Sequence, residues 1–285
     1  CTVVLKPSPE TPLTALRLAE LALEAGVPPG VFNVVTGGRT CGAALARHPS
    51  IAKISFTGST ETGKLVGAAA VQNMTRFSLE LGGKNPIVML DDVDVGQVLG
   101  GVAAGAFFNQ GQVCAAASRI YVHRSKFARL ADGLAEHARA MTLGPGLDTT
   151  AQINPLVSAQ HRDKVVRHIE QARRDGVTFL AGGTRVDELP GYYVRPAVIA
   201  DPRADSAIVR DEVFGPVIVV LPFDDAADAV RLANASPYGL AASIWSNDLT
   251  RVMNLVPQIE AGTVWVNCHI PLDPSMPFGG YKQSG

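Results

Sequence analysis

The sequence predicts an α/β protein built on parallel sheet and divided into two domains. Apolar strand segments alternate with helical segments from the first residues onward, and such alternation calls for right-handed crossovers between parallel strands. A chain of 285 residues suits two domains better than one. Apolar residues make up 47% and charged residues only 18%, ample material for a buried core.

A strand over Thr2–Leu5 opens the chain. Lys6-Pro7-Ser8-Pro9 must end it, because neither a helix nor a central strand tolerates that pair of prolines. A helix follows from about Pro12 to Ala25, with Thr11 as N-cap, Pro12 in the first turn and Gly26 closing it. Leu13, Leu16, Ala19 and Leu23 share one face. Next come a strand over Val31–Val35, a short helix near Cys41–Arg47, a strand over Ile51–Phe56, a helix over Glu61–Val71 and a strand over Phe77–Leu81. The Gly82-Gly83 turn sets the domain boundary, giving domains of 1–82 and 83–285. The second domain starts with a strand over Ile87–Leu90 and a Gly- and Ala-rich buried helix ending at Phe108. Arg119–Val122 reads as a strand, Lys126–Met141 as a helix and Gln160–Arg174 as an amphipathic helix. Strands near Ile218–Leu221, Ala242–Trp245 and Thr263–Val266 are separated by helices near Ala226–Ala233 and Thr250–Val256. Parallel sheets bind ligands beyond the carboxyl ends of their strands, and the first domain is expected to do so.

Lys plus Arg total 25 and Asp plus Glu total 26, a net charge of −1. That balance argues against nucleic acid as a partner. No apolar run reaches the length of a membrane span, so no membrane partner is expected. The four cysteines, Cys1, Cys41, Cys114 and Cys268, form neither a disulfide framework nor a zinc pattern. A reducing, cytoplasmic setting is expected and no metal. The ends read as cut, so the chain is taken as an internal fragment.

Gly58-Ser59-Thr60-Glu61-Thr62-Gly63-Lys64 matches the first seven positions of the P-loop pattern, after a strand and before a helix. Leu65 stands where the Mg²⁺-binding hydroxyl belongs, so triphosphate hydrolysis is not supported. What survives is a helix N-terminus suited to a phosphate, with Gly37-Gly38 a second such turn. Both could equally be ordinary strand-to-helix turns.

Cys114 lies in Asn109-Gln110-Gly111-Gln112-Val113-Cys114-Ala115-Ala116-Ala117. Small neighbours leave room for a substrate, and a thiolate is the attacking form. A buried structural cysteine fits the same pattern, and Cys1, Cys41 and Cys268 read as structural. Glu80 ends an otherwise apolar strand, where burial would raise its pKa and suit it to general-base work. A salt bridge to Lys84 is the alternative. Glu212, in Asp211-Glu212-Val213-Phe214-Gly215-Pro216, is a similar carboxylate. His48, His137, His161 and His168 read as surface or helix-face residues.

Taken together these segments resemble the NAD(P)-dependent aldehyde dehydrogenase superfamily. The matching pieces are Thr2–Ser8, Phe56–Thr60, Leu79–Lys84, Phe108–Cys114, Glu212–Pro216 and Pro277–Gly280, in the family's order along the whole chain. The resemblance implies part of a Rossmann-like cofactor domain and an α/β catalytic domain. It implies that Cys114 is the nucleophile and Glu80 the general base. Cofactor contacts are implied at Lys6, Ser8, Gly37, Gly58, Ser59, Leu81, Glu212 and Phe214. Lys6 would meet the adenosine ribose, Gly58 and Ser59 the pyrophosphate, Glu212 the nicotinamide-side ribose, and Phe214 the ring. The implied cofactor is NAD or NADP, with NAD favoured; Pro9 replaces a family glutamate that disfavours a 2′-phosphate. The implied substrate is an aldehyde, and the parent a homodimer or homotetramer. An upstream Pro-Trp-Asn segment, whose Asn completes the family's oxyanion hole, is not in this sequence, so the isolated chain is expected to be inactive. A CoA-acylating enzyme and a non-catalytic relative are the alternatives.

Overall fold

The computed structural model describes all 285 residues. They form two compact units, Cys1–Leu79 and Glu80–Gly285.

In the first unit, strand β1 (Val3–Leu5) is followed by helix α1 (Leu13–Glu24), β2 (Phe32–Val34), α2 (Arg39–Arg47), β3 (Lys53–Thr57), α3 (Thr60–Gln72) and β4, which starts at Arg76 and ends at Glu80. The alternation is as predicted, but the strands form two separate pairs. β1 runs parallel to β2, Val4 opposite Asn33, and β3 pairs with β4. Helix α1 differs at its start. Pro12 occupies the N-cap position with no side-chain hydrogen bond, so Thr11 is not the cap. The leucines of α1 are periodic, yet none of its residues is buried. Helix α3 is capped as a good N-terminus should be: the Ser59 hydroxyl accepts from the Thr62 N–H.

The second unit holds β5 (Asn85–Met89), α4 (Val95–Phe107), β6 (Ala117–His123), α5 (Phe127–Ala140), α6 (Ala159–Arg174), β7 (Thr178–Ala181), β8 (Arg185–Val186), β9 (Tyr193–Val194), β10 (Ala197–Ala200), α7 (Ala207–Arg210), β11 (Val217–Phe223), α8 (Ala226–Asn234), β12 (Tyr238–Gly239), β13 (Ala241–Trp245), α9 (Leu249–Leu255), β14 (Thr263–Val266) and β15 (Tyr281–Lys282). Seven strands form one sheet in the order β14-β13-β5-β6-β11-β10-β7. All neighbours are parallel except β10 and β7. Both faces are covered, which is why β11 reads as an almost unbroken apolar run. Val165 and Ile169 of α6 and Ala229 of α8 pack on one side; Val102 of α4 and Leu130 and Leu134 of α5 pack on the other. The strands from β7 to β10 carry little alternation and sit among Gly and Pro residues, so sequence periodicity does not show them.

Pro86 lies inside buried β5, where it can donate no ladder bond. The register slips there: Asn85 faces Ala117 while Pro86 faces Arg119. The bulge absorbs the proline and re-aims the side chain of Asn85. Arg119 in β6 is buried, with Nε donating to the Lys84 carbonyl at 2.8 Å and a guanidinium nitrogen to Ala233 O at 2.9 Å. It thereby ties the start of β5 to the last turn of α8, a favourable place for a cation.

Candidate active site

The chemistry-bearing residues of the second unit gather at the amino ends of its parallel strands. Cys114 lies just before β6, Glu212 and Phe214 just before β11, and Asn85 starts β5. This is the opposite edge from the one that open parallel sheets usually offer. In the first unit, Gly58 and Ser59 do follow the carboxyl end of β3, as expected there.

The backbone leading to Cys114 is strained. Asn109, Gln110 and Gly111 have φ of 48°, 57° and 69°, three successive left-handed residues of which only the glycine adopts that region freely. The Asn109 side chain braces the turn by donating to Gln112 O at 3.1 Å. Cys114 itself is half-buried and carries a free thiol. Burial raises the thiol pKa, and the negative charges of Glu212 and Glu80 raise it further. The backbone N–H groups of Ala115 and of Cys114 itself pull the other way. Both carboxylates are therefore close enough for the sulfur to feel.

Glu80 does not pair with Lys84. One of its carboxylate oxygens is buried with no partner, and desolvation raises its pKa. An unsatisfied buried carboxylate oxygen is costly to keep and is what a proton acceptor requires. Lys84 is fully buried instead, its pKa lowered to about 7 mainly by desolvation and then by the Arg119 charge. The turn after Glu80 is fixed by Ser284. Its hydroxyl donates to Gly82 O at 2.7 Å and accepts from Gly239 N at 3.1 Å, while Leu81 N donates to Ser284 O at 2.8 Å.

Glu212 accepts a hydrogen bond from Gly83 N at 3.0 Å, and burial is the main cause of its raised pKa. A Cβ on Gly82 would sit 2.2 Å from its other oxygen, so only glycine lets the turn approach this carboxylate. Phe214 has φ of 57°; its carbonyl is 2.6 Å from His161 Nε2 and its ring meets the imidazole edge-on. His161, a helix-face residue of α6, is thus a half-buried support for Phe214.

In the first unit Lys6 Nζ donates to Pro7 O at 2.7 Å and Gly37 O at 3.0 Å. Ser8 is exposed and its hydroxyl accepts from Glu10 N. Cys1 is exposed rather than packed, and Cys41 and Cys268 are half-buried. No group of three or more His, Cys, Asp or Glu side chains is placed to hold a metal. No helix is long and apolar enough to cross a membrane.

Sequence reasoning missed Asn85, Ser243 and Ser284. All are buried polar residues, and only the fold brings them to the site.

A parallel-dominated α/β sheet carries, at its amino edge, a loop cysteine within electrostatic reach of two carboxylates. Residues 1–285 match the aldehyde dehydrogenase family, and the chain belongs to that family. It is 50% identical to a phenylacetaldehyde dehydrogenase of Pseudomonas fluorescens, covering all of this chain (100%) and 57% of that protein. It is 43% identical to a betaine aldehyde dehydrogenase of Sinorhizobium fredii, covering 100% of this chain and 59% of that protein. Among solved structures it resembles a variant aldehyde dehydrogenase from Bacillus cereus, with a TM-score of 0.97, 42% identity and coverage of 100% and 58%. It also resembles a betaine aldehyde dehydrogenase from Staphylococcus aureus in complex with NAD⁺, with a TM-score of 0.96, 38% identity and coverage of 100% and 57%. The chain thus spans less than two thirds of the length of these relatives.

Proposed function

We propose that the whole protein oxidises an aldehyde to its carboxylic acid with a nicotinamide dinucleotide, using Cys114 as nucleophile and Glu80 as general base. One observation carries the reading: Cys114 sits on a strained, small-residue loop within electrostatic reach of Glu80, whose buried oxygen has no partner.

Each unit, taken by itself, carries candidate contacts for part of a dinucleotide. The first-turn N–H groups of α3, behind Gly58 and Ser59, suit a phosphate. Lys6, Ser8 and Gly37 are the further candidates in the first unit. In the second unit Glu212, held on one side by Gly83, has a second oxygen for a ribose hydroxyl; Phe214, two residues further on, and Leu81 are the other candidates there. When bound, the cofactor supplies the acceptor for the hydride lost from the substrate carbon. The NAD⁺ complex of the Staphylococcus aureus relative supports NAD as the cofactor.

The chain's own residues account for the rest. Cys114, ionised by loss of its proton to solvent, adds its sulfur to the aldehyde carbon. The Cys114 backbone N–H is the donor this chain offers to the oxyanion of the thiohemiacetal. Loss of hydride from that carbon leaves a thioester. Glu80 then takes a proton from water, the hydroxide adds to the thioester carbon, and the C–S bond breaks to release the acid and the thiolate. The covalent step divides one difficult displacement into two easier ones.

The test is to incubate the whole protein with NAD⁺ or NADP⁺ and a panel that includes phenylacetaldehyde and betaine aldehyde. Free acid and reduced nicotinamide should accumulate together without CoA, faster with NAD⁺. Cys114→Ala should lose at least about 10³-fold in rate; undiminished oxidation by that variant would refute the assignment. A homodimeric or homotetrameric, cytoplasmic parent goes with this reading, and light scattering and cell fractionation test it. The isolated 285-residue chain should show no aldehyde oxidation.

A further inference from the structure

Two buried polar side chains outside the reacting set converge on the backbone that carries Cys114. Asn85 is 2% exposed. Its Nδ2 donates to Cys114 O at 2.7 Å and to Ala116 O at 3.0 Å, and its Oδ1 accepts from Ala241 N at 3.1 Å. His269 is 8% exposed. Its Nε2 lies 2.9 Å from Ala115 O and its Nδ1 lies 2.9 Å from Ser243 Oγ. Three consecutive carbonyls, those of Cys114, Ala115 and Ala116, are therefore gripped from behind.

The hydrogen bonds admit one arrangement of protons. A carbonyl only accepts, so Nε2 of His269 carries the hydrogen. Nδ1 then accepts from the Ser243 hydroxyl, which itself accepts from Trp245 Nε1 at 3.0 Å. Burial lowers the His269 pKa to about 4, so this neutral tautomer persists at neutral pH. The Trp265 ring meets the imidazole edge-on at 4.9 Å and fixes its plane.

The consequence falls on the peptide joining Cys114 to Ala115. Its carbonyl is bound by Asn85, and its N–H is the Ala115 donor that stabilises the sulfur anion. A donor on the carbonyl both fixes the plane of a peptide and strengthens its N–H as a donor. The next carbonyl, held by His269, keeps that plane from rotating. The groups that face the thiol with charge are Glu80 and Glu212, and both oppose the thiolate.

We propose that Asn85 and His269 are positioning residues that hold the Ala115 N–H against Cys114 Sγ and so make the thiolate available beside two carboxylates. This rests on Cys114 being the nucleophile, but its test does not depend on turnover. The whole protein, without aldehyde, is alkylated with iodoacetamide across a pH series, and the Cys114 and Cys41 peptides are followed by mass spectrometry. The variants are His269→Leu, His269→Gln and Asn85→Ser.

In His269→Leu, Cys114 should label about fivefold more slowly at pH near 8, the worth of one ordinary hydrogen bond, with its midpoint moved to higher pH. Cys41 should be unchanged. His269→Gln, which keeps an N–H donor, should recover most of the wild-type rate, a recovery that a mere packing role would not give. If His269→Leu unfolds, Cys41 labelling accelerates too, and the milder Asn85→Ser decides, with the same slowing expected. A Cys114 profile equal to wild type in the folded variants overturns the proposal. Failure of the nucleophile assignment is separate: it appears as oxidation that survives Cys114→Ala.

Discussion

The turn at Gly58 and the loop at Cys114 both precede a regular element and both present backbone N–H groups, yet they are built differently. The Gly58 turn follows the carboxyl end of β3. Its Ser59 hydroxyl serves only its own helix, accepting from Thr62 N and donating to Thr62 Oγ1. The Cys114 loop lies at the amino edge of the seven-stranded sheet. Its carbonyls are held by Asn85 and His269, residues that come from β5 and from the segment after β14. A phosphate needs only donors and a favourable dipole, which a local turn supplies. A nucleophile must be held within a fraction of an ångström of its productive geometry, which takes long-range partners.

The contrast can be broken or sharpened by substitution in the whole protein. The largest expected effect is from Glu80→Gln, which should reduce the steady-state oxidation rate by about 10²–10⁴-fold while leaving the fold intact by circular dichroism. Next is the pH dependence of stability. The folded His269 pKa of about 4 lies below its unfolded value of about 6.5. Below the unfolded pKa the unfolded chain therefore binds the extra proton. Stability falls as pH drops from 6.5 to 4 and is level below, a loss of about 3 kcal/mol. Denaturant titrations at the two pH values should show it, and His269→Gln should remove this part of the slope.

Gly83→Ala should cost about 1–3 kcal/mol, because its Cβ would meet Cys114 O and Asn85 Oδ1, each at 2.7 Å. Oxidation should fall with stability. Ser59→Ala, at the local turn, should destabilise by only about 1 kcal/mol and raise the KM for cofactor a few-fold with little change in kcat. Equal effects at Gly83 and Ser59 would erase the distinction between the two turns. The smallest effect is at Glu212. Its charge raises the Cys114 pKa more than that of Glu80, so Glu212→Gln should speed Cys114 alkylation at pH near 8 by a few-fold, and Glu80→Gln by less.

Much of this was legible in the sequence because the signals are local. Glu80 before Gly82-Gly83, Cys114 among small residues, and Glu212 beside Phe214-Gly215-Pro216 are each read within a few positions. The alternation of strands and helices gave the α/β class and the parallel pairings of the large sheet. What stayed hidden is tertiary. Asn85 reaches Cys114 across 29 residues, His269 reaches Ala115 across 154, and Ser284 reaches Gly82 across 202. A buried asparagine, histidine or serine has no periodicity to betray its partner. The antiparallel edge strand β7 was missed for a related reason: it is short, and its place is set by pairing with β10. Helix α1 shows the converse, since its periodic leucines foretold an apolar face but not that the face is uncovered in this chain.

The most direct measurement is a search for the covalent intermediate. Glu80→Gln in the whole protein, mixed with NAD⁺ and phenylacetaldehyde and quenched in acid, should carry an acyl group on the Cys114 peptide, with the hydride already lost. An acyl mass on that peptide and on no other cysteine is the predicted result. Reduced nicotinamide formed with Cys114 unmodified at every time point would contradict the account.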